Sequence, residues 1–183
     1  MRDDLFTARF SCRRFRPRPV PTATLESLLD AARWAPSAGG LEPWRFVVVR
    51  DAVTRRQLAG AALGQVFVAE APVVVVVCTV AAESARVYGE RGRSLYCLQD
   101  TSAATQNLLL AATAHGLGAC WVGAFDEAGV ARALALPAGW RPVAVVPLGE
   151  PAAAPPRRTR RPLEDVVRWV DETAAAGTAG GGP

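Results

Sequence analysis

The alternation of apolar, β-branched runs with amphipathic helical segments predicts one layered domain in which helices flank a parallel sheet. Three observations carry that expectation. A chain of 183 residues has room for one sizeable core but not for a second full domain. Half its residues are hydrophobic, which argues against disorder. Strand-like runs such as RFVVVR, PVVVVVC and RPVAVVPLG are separated by stretches that read as helix.

The elements follow in order. In PTATLESLLDAARWAP, Leu25, Leu28, Leu29 and Ala32 form one apolar face, with Thr22 as the expected N-cap. Pro36 stops that helix by disfavouring helical geometry at Ala35. A glycine-bearing loop, SAGGLEPW, leads into a strand over Arg45–Arg50. A short helix over Val53–Leu63 precedes a buried strand over Val73–Val80. ESARVYGERGRS is polar and reads as a loop. The next helix, about Leu95–His115, is apolar nearly all round, which suggests that a partner subunit covers one side. Gly116 stops it. LGACWVGAF is strand-like, Asp126 caps a helix running to Leu134, and Arg141–Leu148 is the last strand. An extended proline-rich arm, EPAAAPPRRTRRP, precedes a final short helix over Leu163–Val170. One domain is expected over residues 1–172, with a disordered Ala/Gly-rich tail over 173–183.

Composition narrows the function. The formal net charge is +4, and all 21 basic residues are arginine. With no basic helix and no interleaved aromatics, nucleic acid is not an expected partner. Cys12, Cys78, Cys97 and Cys120 form no C-x-x-C pair, and His115 is the one histidine, so no metal site is expected. The cysteines read as reduced packing residues in a cytoplasmic protein. The charged start at Arg2, Asp3 and Asp4 predicts no secretory leader, and AEAPVVVVVCTVAA is too short to span a membrane.

Two arginine groups stand out: Arg9, Arg13, Arg14, Arg16 and Arg18 near the start, and Arg157, Arg158, Arg160 and Arg161 near the end. Each contains a small hydroxyl residue, Ser11 or Thr159. Guanidinium donors with a hydroxyl suit a phosphate dianion. Either the two groups share one phosphate, or they are separate solvated surfaces, which charge alone favours. Neither G-x-x-x-x-G-K-[ST] nor a G-x-G-x-x-G after a strand is present, so a bound nucleotide must be held another way.

ARFSCRRF, APSAGGLEPWRFVVV, QDTSAATQNLLLAATAHGLGACWVGAFD, RPVAVVPLGEP and RRTRRPLEDVVRW occur in the order that resembles the FMN-dependent nitroreductase family. The resemblance runs from about Phe6 to Trp169. It implies an α+β fold in three layers, with a mostly antiparallel central sheet flanked by helices, in place of the parallel sheet. It also implies an intertwined homodimer with FMN at the subunit interface. By that resemblance Arg9 and Ser11 hold the FMN phosphate and ribityl chain, with the Phe10 backbone alongside. Arg13 lies near the flavin pyrimidine edge, where a fixed cation stabilises the charge of reduction. Arg158 and Arg160 reach the same phosphate, with Arg161 the substitute if the register shifts by one. Two of Arg14, Arg16 and Arg18 are expected to be ordinary surface.

Pro36, Ser37 and Ala38, from the second subunit, line the flavin. Many relatives carry Asn at the position of Gly40 and Gln at that of Glu42. The first change removes a side-chain hydrogen bond to the cofactor, and the second adds a negative charge near it. Gln65 either faces the ring or is a surface glutamine. Val122 packs on the ring, and the backbone of Gly123 donates to N5. Trp121 is expected in the core and His115 at a helix end.

The implied activity has two half-reactions, from NADH or NADPH to flavin N5 and then to a nitroaromatic, quinone or similar small acceptor. It needs no catalytic acid or base from the protein. Rival readings are an oxidase of a peptide-derived substrate, a protein that consumes flavin to make a benzimidazole, and a flavin-binding protein without turnover.

Overall fold

The structure, a computed structural model, describes residues 5–155 and 159–170. Arg157, Arg158 and the tail expected from 173 lie outside the described residues. The helices are α1 (Leu5–Ala8), α2 (Thr22–Arg33), α3 (Ala52–Ala61), α4 (Phe67–Glu70), α5 (Ala81–Arg91), α6 (Cys97–Ala114) and α7 (Glu127–Ala133). The strands are β1 (Trp44–Val49), β2 (Val73–Thr79), β3 (Gly118–Ala119) and β4 (Arg141–Gly149).

Every strand pairing in the sheet, of order β1-β2-β4-β3, is antiparallel. The expectation of a parallel sheet from alternation alone is therefore overturned, and the antiparallel expectation holds. The reason is physical: an unbroken apolar run such as VVVVVC reports that both faces of a strand are covered, and says nothing about its neighbours' direction. All seven residues of β2 are buried. Each of its five valines contributes roughly 1.5–3 kcal/mol by burial, so this strand anchors the domain.

The two faces of β2 define the layers. Val73, Val75 and Val77 pack with Leu25 and Leu28 of α2 and Leu108 and Ala112 of α6. Val74, Val76 and Cys78 pack with Leu58 of α3, Val68 of α4 and Val130 of α7.

Several elements depart from the reading of the sequence. Pro21, not Thr22, is the N-cap of α2. Thr22 is itself the first helical residue, and its hydroxyl accepts from Arg50 Nη2 at 3.0 Å. The stretch read as a loop is mostly α5, bent at Gly89 (φ 56°), followed by a π turn over Gly92–Tyr96. The Leu163–Val170 helix is reduced to one 3₁₀ turn, Leu163–Asp165. Leu163, Val166, Trp169 and Val170 are all exposed, and a short helix with no packed face lacks its main source of stability. Asp126 caps α7 as expected, accepting from the Ala128 and Gly129 amides, and Gly116 ends α6 at φ 71°. From Asp100 to Thr113 no residue of α6 is fully exposed.

Candidate functional site

The N-terminal arginine segment is stitched into the edge of the sheet. Ser11 bridges Ala119 in parallel, and the Cys12 amide donates to the Ala119 carbonyl at 3.0 Å. Beyond it, the Ala152 amide donates to the Arg14 carbonyl at 2.9 Å, and the Arg16 amide to the Glu150 carbonyl at 2.8 Å. The start of the chain thus lies between β3 and the stretch that leaves β4. Phe10, Ser11, Arg13 and Arg14 line a hollow of about 130 Å³ with Ala153 and Ala154.

Glycine is required at 118 for this join. A methyl group there would stand 2.6 Å from Cys12 Cβ and 2.7 Å from its Sγ. The next residue in β3 carries the bond that fixes Ser11, so the close approach sets where the serine and its flanking arginines lie.

Behind Ser11 sits Cys120, whose amide donates to the Pro147 carbonyl. Burial pushes its thiol up, and the Arg13 charge, the Ser11 hydroxyl bond and the Arg9 charge pull the other way. The Arg13 guanidinium also lies over the Phe67 ring, 5.7 Å from its centre. Burial raises Cys12 as well, and pushes Cys78 up to about 12. All four cysteines are buried free thiols.

The chain continues from Cys120 along the sheet. Val122 bridges Val145 and is buried, while Gly123 is exposed. Trp121 packs against the core on the α2–α6 side. Gln65 Nε2 donates to the Ala62 carbonyl at 2.9 Å and to the Ala124 carbonyl at 3.1 Å. Phe10, Ser11 and Arg13 thus line one hollow, while Gln65 is bonded to Ala124, next to Gly123 in the chain. Arg16 and Arg18 pair with Glu150 at the surface. Arg160 and Arg161 are exposed, and Arg160 Nη1 donates to the neighbouring Thr159 carbonyl.

Pro36, Ser37, Ala38 and Gly40 lie elsewhere. Their loop leads into Trp44, which pairs with Thr79 at the end of β2. Ala119 pairs with Leu148, which pairs with Val73 at its start. Six residue steps separate the two ends, roughly 20 Å of strand. Within one chain the two halves of the predicted site do not meet.

The loop itself is tightly built. Ser37 Oγ accepts from the Glu42 amide at 3.1 Å, and the Ser37 carbonyl accepts from the Gly40 amide at 3.0 Å. Gly39, Gly40 and Glu42 all adopt left-handed backbone. The Ala38 amide donates to Asp100 Oδ1 at 3.1 Å. Reading the sequence did not single out Asp100, Phe67 or Tyr88. For Asp100 there was a signal: it is an acid in an otherwise apolar helix face.

With this geometry in view, comparison with known proteins is informative. The chain matches the model of the nitroreductase family over residues 6–71 and 63–150. It is 37% identical over 188 residues to a protein named NADH dehydrogenase from Thermus thermophilus, covering 88% of this chain and 92% of that protein. It is 34% identical to a 5,6-dimethylbenzimidazole synthase from Rhodospirillum rubrum, covering 91% and 86% respectively. A solved nitroreductase family protein from Clostridium difficile superposes with a TM-score of 0.79 at 29% identity, covering 92% of this chain and 96% of that one.

Proposed function

Because the chain belongs to the nitroreductase family and is thereby an oxidoreductase, we propose that it is an FMN-dependent homodimer passing electrons from NADH or NADPH to a small acceptor such as a nitroaromatic or quinone. The observation that carries the reading is the seating of Ser11 and Cys12 against Ala119, which fixes the backbone between Arg9 and Arg13 at the sheet edge where the 120–123 stretch begins.

That donor set suits the cofactor. A phosphate monoester needs several charge-assisted donors and a hydroxyl, and Ser11, Arg13 and Arg14 line one hollow with Arg9 adjacent in sequence to Phe10 on its wall. Bound FMN supplies the redox chemistry, accepting hydride at N5 and delivering electrons to the acceptor. The residues of the chain bind and orient. Arg9 and Ser11 hold the phosphate, with Arg158, Arg160 or Arg161 arriving along the arm that leaves Ala154. Arg13 presents a fixed cation to the electron-rich edge of the ring. Val122 gives an apolar floor, and Gly123 lets its backbone approach closely. Gln65, anchored on Ala124, stands beside that backbone as a positioned amide.

The loop from Pro36 to Gly40 lies at the far end of β2, so a second copy of the chain is needed to bring it to the same cofactor. The half-buried face of α6 and the apolar residues exposed along 163–170 support such a partner.

The test is to purify the protein, record its visible spectrum, and add NADH or NADPH without oxygen. Flavin bands that bleach support the reading. Flavin bands that persist with both donors overturn the nicotinamide half-reaction. No bands, even after FMN is added, overturn the cofactor assignment. The likeness to a 5,6-dimethylbenzimidazole synthase favours one second reading, in which FMN is consumed as substrate. Loss of flavin with appearance of a benzimidazole product would establish it.

A further inference from the structure

Asp100 stands out among the polar side chains in the interior. It is 7% exposed, on the first turns of α6, and no cation lies within ion-pairing distance of it among the described residues. Its Oδ1 accepts from the Ala38 amide at 3.1 Å, while its Oδ2 is buried and has no hydrogen-bond partner. A carboxyl group placed this way holds something in position, since an unpartnered buried polar atom is costly to keep without a return.

What it holds is the loop proposed to line the cofactor. Ala38 opens a 3₁₀ turn, Ala38–Gly40, whose Gly39 is left-handed at φ 62°. On the other side Tyr88 of α5 closes in, its hydroxyl 2.7 Å from where a methyl on Gly39 would stand. The Ala38 amide is an orphan donor at the start of this turn, and Asp100 supplies its acceptor from another element. The bond spans 62 residues of sequence, so it fixes the loop to the body of the domain.

We propose that Asp100 is a positioning residue for the flavin-lining loop, acting as the hydrogen-bond acceptor that holds the Ala38 amide. The inference rests on the reading that Pro36–Gly40 contacts FMN. Burial pushes the Asp100 carboxyl up, with the Ala38 bond opposing.

Three single variants and one double variant test it, read by FMN titration of the apoprotein through flavin fluorescence quenching. Asp100→Asn keeps an acceptor oxygen for the Ala38 amide, so its Kd for FMN is expected within about threefold of the parent. Asp100→Ala strands the Ala38 donor and is expected to weaken FMN about tenfold or more, the scale of a lost buried hydrogen bond. Ala38→Pro removes the donor from the other side, and Ser37 is already in the extended geometry that a residue before proline requires. The Asp100→Ala, Ala38→Pro double variant is then expected to be no weaker than the worse single one. Ala38→Pro keeps the test alive if Asp100→Ala does not fold. Tight FMN binding by Asp100→Ala, or equal weakening by Asp100→Asn and Asp100→Ala, overturns the inference. A parent protein that binds no FMN overturns the cofactor reading itself.

Discussion

Replacing Gly118 with alanine tests how the N-terminal arginines are held. The new methyl would meet Cys12 Cβ at 2.6 Å and Sγ at 2.7 Å, with Pro151 Cβ at 3.4 Å. The first two contacts are too short to survive, so the 11–14 strand must move away from β3. Forcing a methyl into packed surroundings costs about 1–3 kcal/mol. Weakening the Cys12–Ala119 bond adds about 0.5–1.5 kcal/mol. A loss of about 1.5–4.5 kcal/mol lowers Tm by roughly 3–18 °C for a chain of this size. Because Ser11 moves with Cys12, FMN binding is expected to weaken as well. The assay is thermal unfolding of the apoprotein at matched concentration, with FMN titration beside it. Cys12→Gly in the same background removes both clashing atoms and is expected to recover most of the loss relative to Cys12→Gly alone. Cys12→Ala leaves the 2.6 Å contact and is expected to recover little. A Gly118→Ala protein that unfolds within 0.5 °C of the parent and binds FMN equally would refute the argument.

Other expectations follow from single features. Gly40 has left-handed backbone at φ 64° and nothing within 4 Å of a would-be side chain, so Gly40→Asn fits a residue type that tolerates this geometry. It is expected to fold normally and bind FMN more tightly, measured by titration; weaker binding would place the loop away from the cofactor. The four buried thiols are expected to resist alkylation at pH 8 until denaturant is added. With Cys78 at about 12, its thiolate fraction there is roughly one in ten thousand. Glu127 accepts from Arg141 at 2.8 and 2.9 Å, which holds its carboxyl below the usual range. A depressed folded value makes this contribution present above the unfolded pKa and lost as pH falls through the folded one. The pair is exposed, so Arg141→Met is expected to cost under about 1 kcal/mol at pH 7 and nothing measurable near pH 3, by urea unfolding at both.

What the sequence made legible divides along physical lines. Local signals worked where the cause is local. Asp126 caps α7 because its side chain reaches two amides within three residues, and Gly116 ends α6 because the chain needs φ 71° there. Strand existence was legible from runs of valine, but strand direction was not, because burial on both faces carries no direction. The α5 segment was misread because its face toward the core is narrow, with Ser84 its one buried residue. The N-terminal half of the candidate site could be read as a motif and then found gathered around Cys120. Asp100 carried a signal, an acid in an otherwise apolar helix face, but not its role, because its partner is a backbone amide with no side-chain identity.

The separation of the two half-sites leads to the most demanding expectation. Arg9, Ser11 and Arg13 lie at the start of β2, and Pro36–Gly40 beyond its end. No hinge within one domain can close a gap filled by a strand that is buried along its whole length. If both half-sites touch one FMN, each cofactor must lie between two copies, and binding and association become a single linked equilibrium. FMN is then expected to drive dimerisation, and dilution to release FMN and separate subunits together. Sedimentation monitored at a flavin wavelength distinguishes the cases. Flavin that sediments only with the dimer, and becomes free as the dimer dissociates, supports a shared site. Flavin that travels with a monomer would show that the N-terminal half-site suffices, leaving the 36–40 loop with a role other than lining the cofactor.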